Sequence, residues 1–152
     1  MTESLPEFNR YNRQTRFAPI GNEGQRKLAD SKVLLVGCGA LGTFIANILA
    51  RSGVGHLVIV DRDFLEISNL QRQVLFDESD IDAGFPKAIA AAKKLSGINS
   101  QIQITPLVKD IDHQNVEALC EDVDIILDGT DNFETRFLVN DVSHKLGIPW
   151  IY

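Results

Sequence analysis

A chain of 152 residues, 44% apolar and 24% charged, suffices for one ordinary soluble domain with a real core, and its formal charge of −6 argues against general nucleic-acid binding, which needs a basic footprint. No run approaches the ~18 consecutive apolar residues that span a bilayer and the N-terminal stretch has no apolar signal core, so no membrane association and a cytoplasmic location are expected. Only Cys38 and Cys120 occur, outside any Cys-x-x-Cys spacing, which suggests two small buried thiols and neither a disulfide framework nor a zinc site within this chain.

Residues 8–17 and 23–28 read as two short helices, so that 1–31 form an N-terminal helical segment ahead of an α/β unit at 32–152. Residues 32–36 are short, apolar and closed by Gly37, and predict a first strand. Residues 41–51 set Leu41, Ile45, Ile48 and Leu49 on one helical face and end at Ser52-Gly53; residues 56–60 are a second strand. A polar loop with a short turn through residue 79 leads to an alanine-rich helix opening at Pro86 and running to residue 95. An alternating strand at 101–105, a short helix at 115–120 and a buried strand at 123–127 follow. A helix at 133–146 is stopped by Gly147, and residues 148–152 begin another strand. This alternation predicts a Rossmann-like, three-layer α/β fold, its mostly parallel sheet covered by helices on both faces. Because the chain stops inside the apolar run Pro149-Trp150-Ile151-Tyr152, truncation at the C-terminus is expected.

Gly37-Cys38-Gly39-Ala40-Leu41-Gly42 matches G-x-G-x-x-G between a predicted strand and a predicted helix, the context that phosphate binding requires. Small residues let the backbone approach a phosphate, and the helix N-terminus adds unpaired N–H groups and about half a positive charge. Asp61 follows by about 20 residues, as an acid that holds ribose hydroxyls should. Thr43-Phe44 after Gly42 disfavours a Walker-type loop. The plainer alternative is that the glycines serve only a tight turn, and these residues alone suit an NAD-dependent dehydrogenase equally well.

Further polar groups lie where strands of such sheets end and ligands bind. They are Arg62 through Gln73, Lys87, the Gly129-Thr130-Asp131-Asn132 run, and the N-terminal Arg10-Tyr11-Asn12-Arg13-Gln14. Ser68-Asn69-Leu70-Gln71-Arg72-Gln73 and Asp128-Gly129-Thr130-Asp131-Asn132, in this order, resemble the adenylating family of the MoeB and ThiF proteins and of ubiquitin-activating enzymes. The likeness runs from about Arg10 to Tyr152.

The resemblance implies an adenylyltransferase. The C-terminal glycine carboxylate of a small ubiquitin-fold sulfur carrier ending in Gly-Gly, of the ThiS or MoaD type, attacks the α-phosphorus of Mg-ATP to give an acyl-adenylate and pyrophosphate. Thiamine or molybdopterin biosynthesis would be served. It also implies catalytic roles for Arg72 and Lys87 on the triphosphate and for Asp131 at Mg²⁺. Arg13 matches an arginine that reaches the neighbouring subunit's ATP, hence a homodimer. The nucleotide would be lined by Gly37, Gly39, Ala40 and Gly42, by Asp61 at the ribose, by Asp63, by Ser68, Asn69, Leu70, Gln71 and Arg72, and by Lys87, Asp131 and Asn132.

Plainer roles stand beside these. Arg13, Arg72 and Lys87 could be solvated charges, and Asp131 or Asn132 could cap the following helix. Cys38 at a helix N-terminus invites a nucleophilic role, but the family's reactive cysteine lies beyond this chain, as do its crossover loop, zinc-binding cysteines and carrier-binding surface. A fragment is expected, and activity of the fragment alone is not implied. His56, His113 and His144 follow no metal-ligand pattern. Two other classes remain: an NAD-binding oxidoreductase or regulatory Rossmann domain, and a non-catalytic scaffold like the inactive subunit of a heterodimeric activating enzyme.

Overall fold

The computed structural model describes residues 6–152. A 3₁₀ segment at Pro6–Tyr11 leads into helices α1 (Asn12–Thr15) and α2 (Gly21–Asp30). The α/β unit follows as β1 (Lys32–Val36), α3 (Ala40–Ser52), β2 (His56–Val60), α4 (Glu78–Asp82), α5 (Lys87–Ile98), β3 (Gln103–Leu107), α6 (Val116–Cys120), β4 (Ile125–Asp128), α7 (Phe133–Leu146) and β5 (Trp150–Ile151). The sheet order is β3-β2-β1-β4-β5, every pairing parallel. The chain steps outward from β1 to β3, then returns to the other side of β1 for β4. The crevice between the carboxyl ends of β1 and β4 is therefore the topological switch point, where open α/β sheets bind ligands.

Alternation along the central strands divides the interior. Val33, Leu35, Leu57 and Ile59 face α3 and α5, whereas Leu34, Val36, Val58 and Val60 face α6 and α7. Two-sided burial explains why β1 and β2 are continuously apolar rather than alternating. The N-terminal helices join the first layer through polar anchors. Gln25 is fully buried and its Nε2 donates to the Ser52 carbonyl at 2.9 Å; the buried Asn99 donates to Tyr11 Oη at 2.8 Å and to the Ala50 carbonyl at 2.7 Å.

The α3 helix corrects the sequence reading. Its buried face is Gly42, Thr43, Ala46 and Ala50, while Leu41 and Ile48 point outward with Phe44; Ile45 and Leu49 are partly buried. Hydrophobicity alone chose the larger residues, but this helix approaches the sheet too closely for them. A Cβ at Gly42 would stand 2.0 Å from the Gly37 carbonyl oxygen. The expected loop through residue 79 holds a helix, α4, because the Asp77 carboxylate accepts from the Ser79 backbone N–H and Asp80 returns the bond to the Asp77 N–H. Strand β3 starts at Gln103 rather than 101, and β4 at Ile125 rather than 123. No helix among the described residues is long and apolar enough to cross a membrane.

Candidate functional site

Two loops meet at the switch point, and glycines set how closely. Gly37 leaves β1 with φ +86°, and its N–H donates to the Val60 carbonyl. Gly129, after β4, donates to the Val36 carbonyl at 2.7 Å; a Cβ there would lie 2.8 Å from the Gly37 oxygen and 2.9 Å from Gly42 Cα. Gly39 differs: a Cβ would meet nothing within 4 Å, and as N-cap of α3 it leaves that terminus without a side-chain cap. The backbone N–H groups that open α3 thus face the cleft with no protein side chain competing for them.

Asp61, at the end of β2, binds the loops together. Its Oδ2 accepts from the Cys38 N–H at 2.7 Å and its Oδ1 from the Asp63 N–H at 2.8 Å. Cys38 is fully buried, and burial foremost, with the Asp61 charge adding to it against a smaller opposite effect of Lys87, pushes its thiol up to about 12. It is a packing residue and no nucleophile at neutral pH.

Lys87 is the first residue of α5, where its backbone N–H donates to the Asp63 carbonyl and its ammonium to Asp63 Oδ2 at 2.9 Å. Its side chain is 9% exposed, Asp63's 56%. Arg72 is exposed at the cleft, its guanidinium donating to the Ser68 carbonyl at 2.9 Å. On the opposite wall the two capping candidates separate. Asn132 caps α7, accepting from the Glu134 N–H at 2.9 Å, and Asp131 is left exposed with no side-chain partner among the described residues. Behind them the buried Asp128 accepts from the Thr130 N–H at 2.7 Å and from Arg136 Nε at 3.0 Å, and Arg136 also donates to the Thr130 carbonyl.

The resulting cleft is about 670 Å³, within the range of small-molecule sites. It brings together Gly37, Gly39, Ala40, Asp61, Asp63, Asn69, Arg72, Lys87, Asp131 and Asn132. Gly42, Ser68, Leu70, Gln71 and Arg13 do not line it. Gly42 acts from behind, through the Gly37 contact. Ser68 donates to Glu66, Leu70 packs on the core, Gln71 is exposed, and Arg13 is exposed on α1. Asn69 is buried, and its Oδ1 accepts from the Glu66 N–H, so its side chain shapes the turn before Arg72. Sequence reasoning quoted Arg62, Glu66, Gln73 and Thr130 inside polar runs without giving them a role, and missed Lys109 and Asp110 on the cleft wall and the Asp128–Arg136 brace behind it. Gln73 stood inside a quoted motif; the pairing of Asp128 with Arg136 needs the third dimension. Among the described residues no cluster of three or more His, Cys, Asp or Glu could hold a metal by itself.

These features define a doubly wound α/β protein whose cleft, at the switch point, joins a bare helix N-terminus to the cationic side chains of Arg62, Arg72, Lys87 and Lys109 and to several carboxylates. The chain belongs to the ThiF family, whose profile matches residues 11–152. It is 50% identical over 143 residues to the sulfur carrier protein ThiS adenylyltransferase of Bacillus subtilis, covering 94% of this chain and 43% of that protein. With the SAMP-activating enzyme E1 of Haloferax volcanii it shares 42% over 154 residues, covering 100% of this chain and 56% of the other. The structure of E. coli MccB with ATP superposes with a TM-score of 0.85 at 31% identity, covering 97% of this chain and 45% of that one. E. coli TcdA, tRNA N6-threonylcarbamoyladenosine dehydratase, in complex with ATP has a TM-score of 0.88 at 22% identity, a likeness of fold. The chain spans about half the length of the curated relatives it matches.

Proposed function

We propose that this chain is the nucleotide-binding part of an ATP-dependent adenylyltransferase acting in the cytoplasm. It activates the C-terminal glycine carboxylate of a ubiquitin-fold sulfur carrier as an acyl-adenylate, for thiamine or molybdopterin biosynthesis. The observation that carries this reading is Lys87, a lysine buried at the first turn of α5 and held in the cleft. Burial and the positive end of the helix both disfavour an ammonium there, so its placement makes sense against an anion. The names of the relatives, and the ATP in the MccB structure, support the same ligand.

A carboxylate nucleophile is already ionised at neutral pH and needs no general base. What the reaction needs is alignment and neutralisation of oxygens that gain charge as pyrophosphate leaves. Arg72 and Lys87 supply cations, and the bare N–H groups of α3 bind phosphate. Asp61, anchored by two backbone donors, is set for the ribose. Asp131, exposed in the cleft and freed from capping by Asn132, suits Mg²⁺, which retains most of its waters and takes phosphate oxygens besides a protein carboxylate. Bound there, the ion would shield the triphosphate.

A homodimer fits two observations. Arg13 is exposed and does not line its own cleft, and α3 leaves Phe44 and Ile48 exposed, with Leu41 exposed at the cleft rim. The reading is tested by titrating the chain with Mg-ATP and, separately, with NAD. Binding of ATP that Lys87→Ala weakens by about ten- to a hundredfold upholds it, that being the value of a hydrogen bond to a charged group. Binding of NAD without ATP replaces it by the oxidoreductase reading.

A further inference from the structure

Gln73 is 3% exposed and lines the cleft together with Arg72 and Lys87. Its carboxamide makes no side-chain hydrogen bond within the described structure, and its Oε1 is sealed from solvent without a partner. Buried amides are nearly always satisfied, because leaving one unpaired costs the full desolvation of the group. A leucine or methionine would fill the same volume without that penalty. Nothing in the packing around Gln73 therefore accounts for a glutamine. A second orphan, Thr130 Oγ1, belongs to the loop on the opposite wall of the same cleft. On each wall of the cleft one lining residue thus keeps a buried side-chain oxygen that no protein group bonds.

We infer that the Gln73 side chain is a ligand-binding group, donating its amide N–H to a phosphate oxygen of the nucleotide alongside Arg72 and Lys87. This rests on the nucleotide reading above. The chemistry follows from the immediate neighbours: Arg72, with no carboxylate partner among the described residues, and Lys87 offer cations to an anion, and an anion takes donors. A neutral donor adds a directed bond without further crowding of cations, whose mutual repulsion in a shielded cleft grows as the local dielectric falls. The amide can turn about its terminal torsion, so its NH₂ can be presented to the cleft whichever way it rests when no ligand is bound.

The test separates a ligand role from a packing role by opposite signs. In the 152-residue chain, Gln73→Leu and the alternative apolar isostere Gln73→Met should keep or raise Tm without nucleotide, while Mg-ATP affinity falls about tenfold, the value of one hydrogen bond to a charged acceptor. Gln73→Glu, which keeps the shape but replaces the donor by a negative charge, should bind Mg-ATP more weakly than either. A wild-type ATP affinity retained by both apolar variants overturns the inference alone, as does a lowered Tm with unchanged affinity. Full affinity in Gln73→Glu overturns the donor assignment. A wild-type chain that binds no ATP overturns the inference together with the reading beneath it.

Discussion

A lysine at the opening of a helix meets the positive end of the dipole, and Lys87 does so while nearly buried, with the half-exposed Asp63 carboxylate as its counter-charge. Cys38 is the opposite case, a residue placed where thiols become reactive and then disabled. A helix N-terminus lowers a thiol's pKa, but Cys38 is sealed and faces the Asp61 charge, which leaves it protonated. Its folded pKa of about 12 stands above the unfolded value near 9, so the folded state retains a proton that the unfolded state loses. The stability this represents is complete below pH ~9 and is lost as pH rises toward ~12. Stability should therefore fall more steeply with pH in this range for the wild type than for Cys38→Ala, measured by urea denaturation at successive pH values. A thiol reagent at pH 8 should label Cys38 only after unfolding; rapid labelling of the native chain would refute the buried assignment. Gly129 gives a further residue-scale test. A Cβ there would stand 2.8 Å from the Gly37 oxygen, backbone against backbone. Gly129→Ala should cost about 1–3 kcal/mol by overpacking and should loosen ATP binding, since the same shift displaces the glycine loop. Thermal unfolding with and without nucleotide checks both.

At the scale of elements, what the sequence made legible was what local rules control. The strands at residues 32–36 and 56–60 and the α7 helix with its Gly147 terminus fall where apolar runs and glycine stops put them, because these signals act within a few residues. The Asp77–Asp80 capping box was equally local and was passed over, since a five-residue helix has too short a periodicity to announce itself. The buried face of α3 was illegible for a different reason. Its periodicity is set by how closely its axis approaches the sheet, and that distance is fixed by Gly37 meeting Gly42, a tertiary contact. Small residues consequently face the sheet and large ones face out. It follows that Ala46→Leu, at a fully buried position, should destabilise by about 1–3 kcal/mol, whereas in a naive amphipathic reading a larger apolar residue is an improvement. Chemical denaturation decides: a neutral or stabilising Ala46→Leu would mean that α3 packs on its leucine and isoleucine face after all.

For the molecule as a whole, the candidate site was legible as a list and not as an arrangement. The motifs named Arg72, Lys87, Asp131 and the glycine loop because those residues stand in recognisable order, and the sheet topology gathers them at one crevice. Arg13 stands apart, since order along a chain says nothing about which copy's cleft a side chain serves. Its exposure on α1 and the exposed Leu41, Phe44 and Ile48 of α3 are what the proposed homodimer would use. Exposed apolar residues of this kind on a charged surface suit an interface, and a two-fold axis would bring each copy's set against the other's. Phe44→Glu should therefore shift the chain from dimer to monomer in sedimentation at micromolar concentration, with little change in secondary structure. If Arg13 crosses that axis, then Arg13→Ala and Asp131→Ala chains, each impaired alone, should complement on mixing. Random exchange makes half the dimers mixed, and each mixed dimer holds one site with both residues intact. The share of sites that bind Mg-ATP with wild-type affinity should then recover to about a quarter. Recovery to that level requires both that the protein is dimeric and that its sites are shared. Its absence, in a preparation shown by sedimentation to be dimeric and exchanging, would confine Arg13 to its own subunit and leave those apolar residues to some other partner.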